Sequence, residues 1–334
     1  MSRLNPNVTR NISIDTVREA SAHVYEAATR TPLVPLLTEP GRPQVFLKLE
    51  TLQPIGSFKI RGAYNAVRQL TPAELAGGVW TVSAGNAAQG VAFAARKVGA
   101  RSSVMVMDTA PDTKLRAIER LGATIVQAPF DECWRTVEEH RSERMAGHFV
   151  HPFDDDRFIS GNGTIGLEIL EDLPDVDAVI APLGGGGLLA GVACVLHSER
   201  PDAKVYAAEP ETAAPLATSF AAGRASTFDA WRASFVDGAG GRSVLGSMWP
   251  LLEAWVSESL VVSLDDAARA MRLVADRIHV IAEGAAACAI AAAVSPAMAA
   301  RGHQKVVAVV SGGNIDLKRF AELVGACGDN RPHP

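Results

Sequence analysis

From residue 79 onward, short apolar runs alternate with helical patterns, and that alternation restricts the fold more than any other feature of the chain. The runs VWTVS (79–83), SVMVM (103–107) and TIVQA (124–128) are separated by helical stretches over 87–98 and 112–121, with a third helix over 134–145. Runs this apolar are buried on both faces, which places them in a parallel sheet covered by helices. A second alternation starts near Thr164: a helix to Leu170, strand DAVIAPL (177–183), a helix over 188–196 and strand KVYAAE (204–209). It ends with a helix opened by Ser263, an alanine-rich helix after Glu283 and strand KVVAVVS (305–311). Two α/β lobes follow, and ligands of such sheets bind at the carboxyl ends of the strands.

The N-terminal part reads as a helix over 13–30, stopped because Thr31 precedes Pro32, then a strand over 45–50. Thr71-Pro72-Ala73-Glu74 has the form of a capping box with proline at the first helical position. Residues 211–248 carry little periodicity and read as loops and short helices.

A chain of 334 residues suffices for one large or two modest domains. Its net charge of -5, with no basic cluster, argues against a nucleic-acid partner. The first residues, MSRLNPNVTRNISIDTV, contain no apolar core of a secretory signal. The small-residue run 284–300 follows Glu283 and contains Pro296, so it reads as a buried helix and not as a membrane span. Cys133, Cys194, Cys288 and Cys327 have no metal or redox spacing and read as reduced thiols of a cytoplasmic protein.

Three stretches carry chemistry. Lys59 stands between Phe58 and Ile60 where a loop with Pro54 and Gly56 gives way to a helix. An ammonium in apolar company loses hydration and its pKa falls, which yields an amine nucleophile suited to a Schiff base; a lysine snorkelling from a solvated face is the other reading, and these residues alone leave both open. Gly184, Gly185, Gly186 and Gly187, followed by Leu188, join an apolar strand to a helix and offer free N–H groups to an anion. Ser83, Ala84, Gly85, Asn86 and Ala87 sit at another strand-to-helix junction, suited to a substrate carboxylate or to capping the helix.

GSFKIRGA (56–63), SAGNAAQG (83–90), HPFDD (151–155), GNGTIGLE (161–168), PLGGGGLLAG (182–191) and SGGNID (311–316), in this order, resemble the serine/threonine dehydratase family of pyridoxal-phosphate (PLP) enzymes. The resemblance implies the two-lobed fold type II, similar to the tryptophan synthase β chain, with twisted parallel-rich sheets and PLP in the cleft between lobes. It places a large domain at 1–67 plus 156–334 and a small one at 68–155. The chain ends soon after SGGNID, so no C-terminal regulatory domain and no isoleucine feedback are expected.

By the same resemblance Lys59 carries PLP, Phe58 stacks on its ring and Asn86 contacts its 3′-oxygen. The glycine run with Leu188 cups the phosphate, Ser311 with Gly312 meets the ring nitrogen, Gly238 faces the cofactor and Glu283 lies beside ring and substrate. A hydroxyl at the ring nitrogen does not hold it protonated as a carboxylate would, so the ring is a weaker electron sink and β-elimination is favoured. His151 and the acids at 154–156 read as turn and helix-start residues.

Departures from the family pattern refine the expectation. Ala84 stands where racemising members have a second serine, so reprotonation from the far face lacks a donor and racemase ranks below dehydratase. Ala87 replaces a common histidine. Many members hold a divalent cation through positions equivalent to Glu209, the Ala213 carbonyl and Pro215; a proline side chain cannot ligate, which leaves Glu209 and Ala213. The activity expected is therefore a PLP-dependent ammonia-lyase acting on L-threonine or L-serine as a homodimer or homotetramer. Ala87 and Trp134 leave room for a bulkier or acidic 3-hydroxy amino acid. Racemisation and a noncatalytic binding protein on the same fold are the alternatives, the latter disfavoured because a pure binder needs no amine.

Overall fold

The computed structural model describes residues 10–38 and 41–326; the N-terminal residues 1–9 read for a signal, and Cys327, lie outside them. The chain opens with α1 (Ile14–Val24), β1 (Leu33–Leu36), β2 (Gln44–Leu49), a 3-10 turn (Glu50–Leu52), α2 (Lys59–Arg68) and α3 (Pro72–Ala76). The first alternation is β3 (Val79–Val82), α4 (Asn86–Lys97), β4 (Ser102–Met107), α5 (Asp112–Glu119), β5 (Thr124–Ala128), α6 (Phe130–Glu139) and β6 (His148–Phe149). The second begins with α7 (Asp156–Asp172), β7 (Ala178–Pro182), α8 (Gly187–Glu199), β8 (Lys204–Pro210), α9 (Pro215–Ala222) and α10 (Trp249–Trp255). It ends with β9 (Glu258–Val262), α11 (Leu264–Ile278), α12 (Gly284–Ala293), α13 (Pro296–Ala299), β10 (Lys305–Val310) and α14 (Leu317–Ala326).

The strands form two sheets. One has six strands in the order β1-β2-β10-β7-β8-β9, parallel except for β1; the other has four parallel strands in the order β5-β4-β3-β6. In the six-stranded sheet the chain runs outward from β7 through β8 to β9, then returns to the other side of β7 as β10. In the four-stranded sheet it runs from β3 to β5 and returns beside β3 as β6. Each return is a topological switch point, and the carboxyl ends of the two flanking strands open a crevice there. The loops after β7 and β10 are the glycine run and SGGNID; those after β3 and β6 are SAGNAAQG and HPFDD.

Packing explains the elements. Every residue of β3 and β7 is buried, as strands covered on both faces require. Helix α12 is buried along its whole length between the six-stranded sheet and α11, so alanine at nearly every position suits it. Among the described residues no helix is long and apolar enough to cross a membrane.

Several expectations need correction. The helix read from Thr164 begins at Asp156, where the Asp155 side chain accepts from the N–H groups of Arg157 (2.8 Å) and Phe158 (3.1 Å). Its glycines are contact points: a Cβ on Gly161 would lie 2.5 Å from the Arg61 carbonyl oxygen, and one on Gly163 3.0 Å from that of Gly191. Helix α1 stops at Val24, not near 30, and α6 starts four residues earlier than its pattern suggested. β1, β6 and β9 were not foreseen. β1 and β9 are edge strands, where burial is one-sided and the tolerance of Pro35 is understandable.

Candidate active site

Lys59 is the first residue of α2, and the loop before it is fixed by backbone geometry. Gly56 has φ +69°, and a Cβ there would come within 2.7 Å of Asn314 Oδ1, so only glycine fits. Gly313 N donates to the Gly56 carbonyl (2.9 Å) and Phe58 N to that of Ser311 (2.9 Å), which pins the loop to the end of β10. The half-buried Lys59 side chain carries its Nζ to 5.2 Å from the centre of the Phe58 ring and 5.3 Å from that of Phe158, donating to the Pro152 carbonyl at 2.6 Å. Burial pushes its pKa down to about 8, against the opposing pull of Glu283. A solvated surface lysine is excluded.

Beneath α2 lies a fully buried charge network. Arg61 forks onto Glu50 (2.8 and 2.9 Å) and Glu168 (2.6 and 3.0 Å), and Lys48 Nζ reaches Glu168 Oε2 and the Thr31 carbonyl, each at 2.6 Å. Two cations and two anions are matched, so the first turns of α2 cannot rotate without unpairing charge in the interior.

The glycine run turns β7 into α8. Gly186 has φ +93° and is the helix N-cap, while a Cβ on Gly184 would lie 2.7 Å from the Gly238 carbonyl oxygen. A Cβ on Gly238 would in turn lie 3.5 Å from Glu283 Oε1, and one on Gly312 2.7 Å from the same oxygen and 3.1 Å from Ser57 Cβ. Gly184, Gly238, Glu283, Gly312 and Ser57 thus form one continuous wall. Leu188 is buried in the first turn of α8.

Asn86 opens α4 after Gly85, whose N–H donates to Ser83 Oγ (3.1 Å). Its Nδ2 donates to Glu283 Oε1 (2.8 Å), and its Oδ1 accepts from Asn314 Nδ2 (2.8 Å), so Asn86 links the four-stranded sheet to the wall. Burial and the nearby Asp237 raise Glu283 to about 8, with the Asn86 hydrogen bond opposing. Lys114 on α5 and Asp237 form a further ion pair across the cleft. Ala84 and Gly85 are partly exposed beside Ser83, whereas Ala87 is buried in the packed side of α4. Trp134 is not brought to the site: its indole N–H donates to Glu138 on its own helix.

Asn314, Lys114 and the Pro152 carbonyl were not singled out from sequence. Asn314 had a signal, its place in SGGNID, but a backbone carbonyl has none.

A crevice between two sheets, with a shielded amine on one side and a helix N-terminus lined by side-chain-free backbone on the other, defines an enzyme that binds a phosphorylated carbonyl cofactor. The fit is specific: Gly184 and Gly312 leave no room for a Cβ, and among the described residues the buried Ser57 hydroxyl has no hydrogen-bond partner. Residues 24–312 match the family described as pyridoxal-phosphate dependent enzyme, and the chain belongs to that family. Its cofactor is PLP. An L-threonine ammonia-lyase of Thermotoga maritima is 36% identical over 317 residues, 94% of this chain and 78% of the relative. The catabolic L-threonine dehydratase of Escherichia coli K12 is 36% identical over 320 residues, 94% and 96% of the two chains. Among solved structures, maize serine racemase superposes with TM-score 0.85 at 31% identity, covering 94% of this chain and 97% of its own. Threonine deaminase isoform 2 from Solanum lycopersicum gives 0.83 at 30% identity, covering 97% and 100%. The fold is therefore the type II PLP fold read from the motifs.

In the divalent-cation region, Glu209 is buried and both its oxygens are engaged. It accepts from Leu216 N and Ala217 N, each at 2.9 Å, and from Ser259 Oγ at 2.5 Å, capping α9, in which Pro215 is the first residue. The donor set does not fit a cation.

Proposed function

We propose that this chain is a PLP-dependent ammonia-lyase converting a β-hydroxy L-amino acid, L-threonine or L-serine by default, to a 2-keto acid and ammonia. The observation that carries the reading is the Lys59 amine, shielded by two rings and lowered to about 8, facing the glycine-lined wall. The names of the relatives support the same reaction class.

When bound, PLP supplies the electron sink that acidifies the substrate Cα proton. Lys59 and Phe58 would hold it at one side, the N–H groups of Gly184 to Gly187 and Leu188 would take its phosphate, and Ser311 with Gly312 would meet its ring nitrogen. Gly238 and Glu283 would line the remaining edge, and Asn86 would serve the ring oxygen. The loop of Ser83, Ala84, Gly85, Asn86 and Ala87 binds the substrate carboxylate through N–H groups at the start of α4. The freed Lys59 amine takes the Cα proton at Nζ, an efficient base because its pKa lies near neutral. The β-hydroxyl leaves as water, carrying off the proton that Lys59 Nζ took from Cα, and the released enamine is hydrolysed to the 2-keto acid and ammonia. Glu283, its carboxyl raised to about 8 by burial, carries less negative charge at neutral pH beside the substrate carboxylate than an ordinary glutamate would. Ala84 offers no hydroxyl on the opposite face, which favours elimination over racemisation.

The chain is divided, in this reading, into a large PLP-binding domain at 1–67 with 156–334 and a small α/β domain at 68–155. Buried free Cys133, Cys194 and Cys288 support a reducing, cytoplasmic setting. A homodimer or homotetramer is proposed on the family resemblance, testable by light scattering.

The test is 2-keto acid release by purified protein with PLP, across L-threonine, L-serine, their D-forms, threo-3-hydroxyaspartate and a β-aryl serine, with Lys59→Ala as control. Lysine-dependent release from an L-β-hydroxy acid is expected. Turnover surviving in Lys59→Ala, or racemisation outrunning keto acid release, would overturn the reading.

A further inference from the structure

The segment after β6 touches the site at the Pro152 carbonyl, which accepts from Lys59 Nζ (2.6 Å), and at Phe153, which packs on Gly185 and Gly187 of the glycine run. What aims that carbonyl is His151. Its ring is 2% exposed, packed against His140 (4.5 Å between centres), Phe153 (4.6 Å) and Phe149 (5.6 Å). Nδ1 lies 2.8 Å from Asp154 N and 3.3 Å from Phe153 N, and both amides donate to it. The ring proton is therefore on Nε2, which donates to the Val137 carbonyl on α6 at 3.2 Å. Burial pushes His151 down to about 3, with Asp154 opposing and His140 and Lys59 reinforcing, so the lone pair on Nδ1 persists at every working pH.

Phe153 N–H and Pro152 C=O belong to one planar trans peptide and point in opposite directions. Holding the N–H on His151 turns the carbonyl the other way, toward Lys59. We propose that His151 is a positioning residue for the reaction: through the Phe153 amide it aims the Pro152 carbonyl at Lys59 and so fixes where the free amine sits when it acts as base. The inference rests on the reading of Lys59 as that base. A flexible four-carbon stem has many rotamers, and the rings of Phe58 and Phe158 restrict it without directing its lone pair. An amine that donates one N–H to Pro152 has its lone pair turned away from that carbonyl.

The same cluster also brings ligand atoms of His140, His151 and Asp154 close together, but it is not a metal site. Both His151 nitrogens are engaged, and Asp154 is held by Arg10 (2.7 Å) and Ser247 (2.5 Å). The segment is built as a rigid turn. Asp156 adds to this by accepting from Arg10 Nε and Asn11 N, both at 2.6 Å.

Two near-isosteric variants separate aiming from folding. His151→Asn keeps an acceptor at the distance of Nδ1 and loses the donor to Val137; His151→Gln keeps a group at the distance of Nε2 and loses the acceptor for Phe153. The readouts are kcat and KM for keto acid release, thermal unfolding, and the pH dependence of PLP uptake by apo-protein, followed by absorbance. The charged group acting on Lys59 in that profile is Glu283 at the start of α12; His151, held low by burial, stays neutral across it. His151→Gln is expected to lower kcat about tenfold with KM within threefold, and to move the uptake profile to lower pH, because the ammonium loses an acceptor. His151→Asn is expected to keep kcat within threefold and the wild-type profile at a comparable loss of thermal stability. Equal kcat in both variants, or losses that follow the unfolding temperature alone, would overturn the proposal. Uptake needs no substrate, so a wild type that takes up PLP without turnover would sink the ammonia-lyase reading while the profile still decides on His151.

Discussion

Asn86 and Glu283 meet across the cleft, Nδ2 donating to Oε1 at 2.8 Å, and this bond joins the first turn of α4 to the N-cap of α12. Asn314 Nδ2, which also donates to the Ile55 carbonyl at 2.7 Å, occupies Asn86 Oδ1 and so fixes which way the Asn86 amide faces. Glu283 is buried, and its neutral form is the one the site stabilises.

That relationship has a definite sign in pH. The native carboxyl of Glu283 is raised to about 8, whereas the unfolded one titrates at about 4.3. Between these values the unfolded chain has released a proton that the native state keeps, so the Glu283 contribution to stability falls as pH rises. Glu283→Gln removes the dependence. The unfolding temperature of the apo-variant minus that of wild type is expected to increase steadily from pH 5 to pH 8, by differential scanning calorimetry. A flat difference would show that Glu283 is ionised in the native state.

Arg61 makes a prediction about stability. Replacing it by methionine leaves Glu50 and Glu168 facing each other in the interior with only Lys48 for charge compensation, and breaking a buried pair in this way costs about 3–5 kcal/mol. Urea unfolding should show a loss in that range, and Arg61→Lys should recover less than half of it, because an ammonium cannot fork onto two carboxylates. A loss under about 1 kcal/mol would mean the network is not paired as described.

Much of this was legible in the sequence for a physical reason. Strands covered on both faces must be continuously apolar, and phosphate cups must lack side chains, so β3, β4, β7, β8, β10 and the run from Gly184 to Gly187 announce themselves. The edge strands β1 and β9 are exposed on one side and carry no such demand. The first turns of α7, from Asp156 to Gly163, were left out of the helix read from Thr164; Gly161 and Gly163 there are where the backbones of α2 and α8 come close, and closeness in space has no local signature. Lys48 sits inside an apolar strand and reads as solvent-facing until Glu168, 120 positions away, is brought to 2.6 Å. The peptide between Pro152 and Phe153 was invisible for a simpler reason: its role belongs to the backbone.

Gly312 tests the cofactor wall. A Cβ there would lie 2.7 Å from Glu283 Oε1 and 3.1 Å from Ser57 Cβ, both on packed segments, so Gly312→Ala must displace one of them. PLP affinity, titrated by absorbance, is expected to fall at least tenfold, with an overpacking cost of about 1–3 kcal/mol in unfolding. Gly325→Ala on α14, with nothing within 4 Å of the added methyl, is the control and should leave affinity unchanged. Equal affinity in both variants would remove Gly312 from the wall.

Glu209 bears on metal dependence. A carboxylate that ligates a cation needs a lone pair aimed at it, yet here Oε2 accepts from Ala217 N and Ser259 Oγ and Oε1 accepts from Leu216 N, so the group is turned to the helix it caps. The helix N-terminus and the hydroxyl supply the positive partners that a cation would otherwise provide, and Pro215 has no side-chain donor to complete a ligand set. Glu209 is buried and its carboxyl raised by that burial, so its remaining stabilisation comes from these hydrogen bonds. Dialysis against EDTA, and then addition of magnesium or calcium at millimolar concentration, should leave both unfolding temperature and keto acid release unchanged. Ser259→Ala should lower stability by about 1–3 kcal/mol through the acceptor left without its donor. If either cation raised the unfolding temperature of wild type but not of Glu209→Gln, the carboxylate would be a ligand after all, and its role as a helix cap would belong only to the metal-free form.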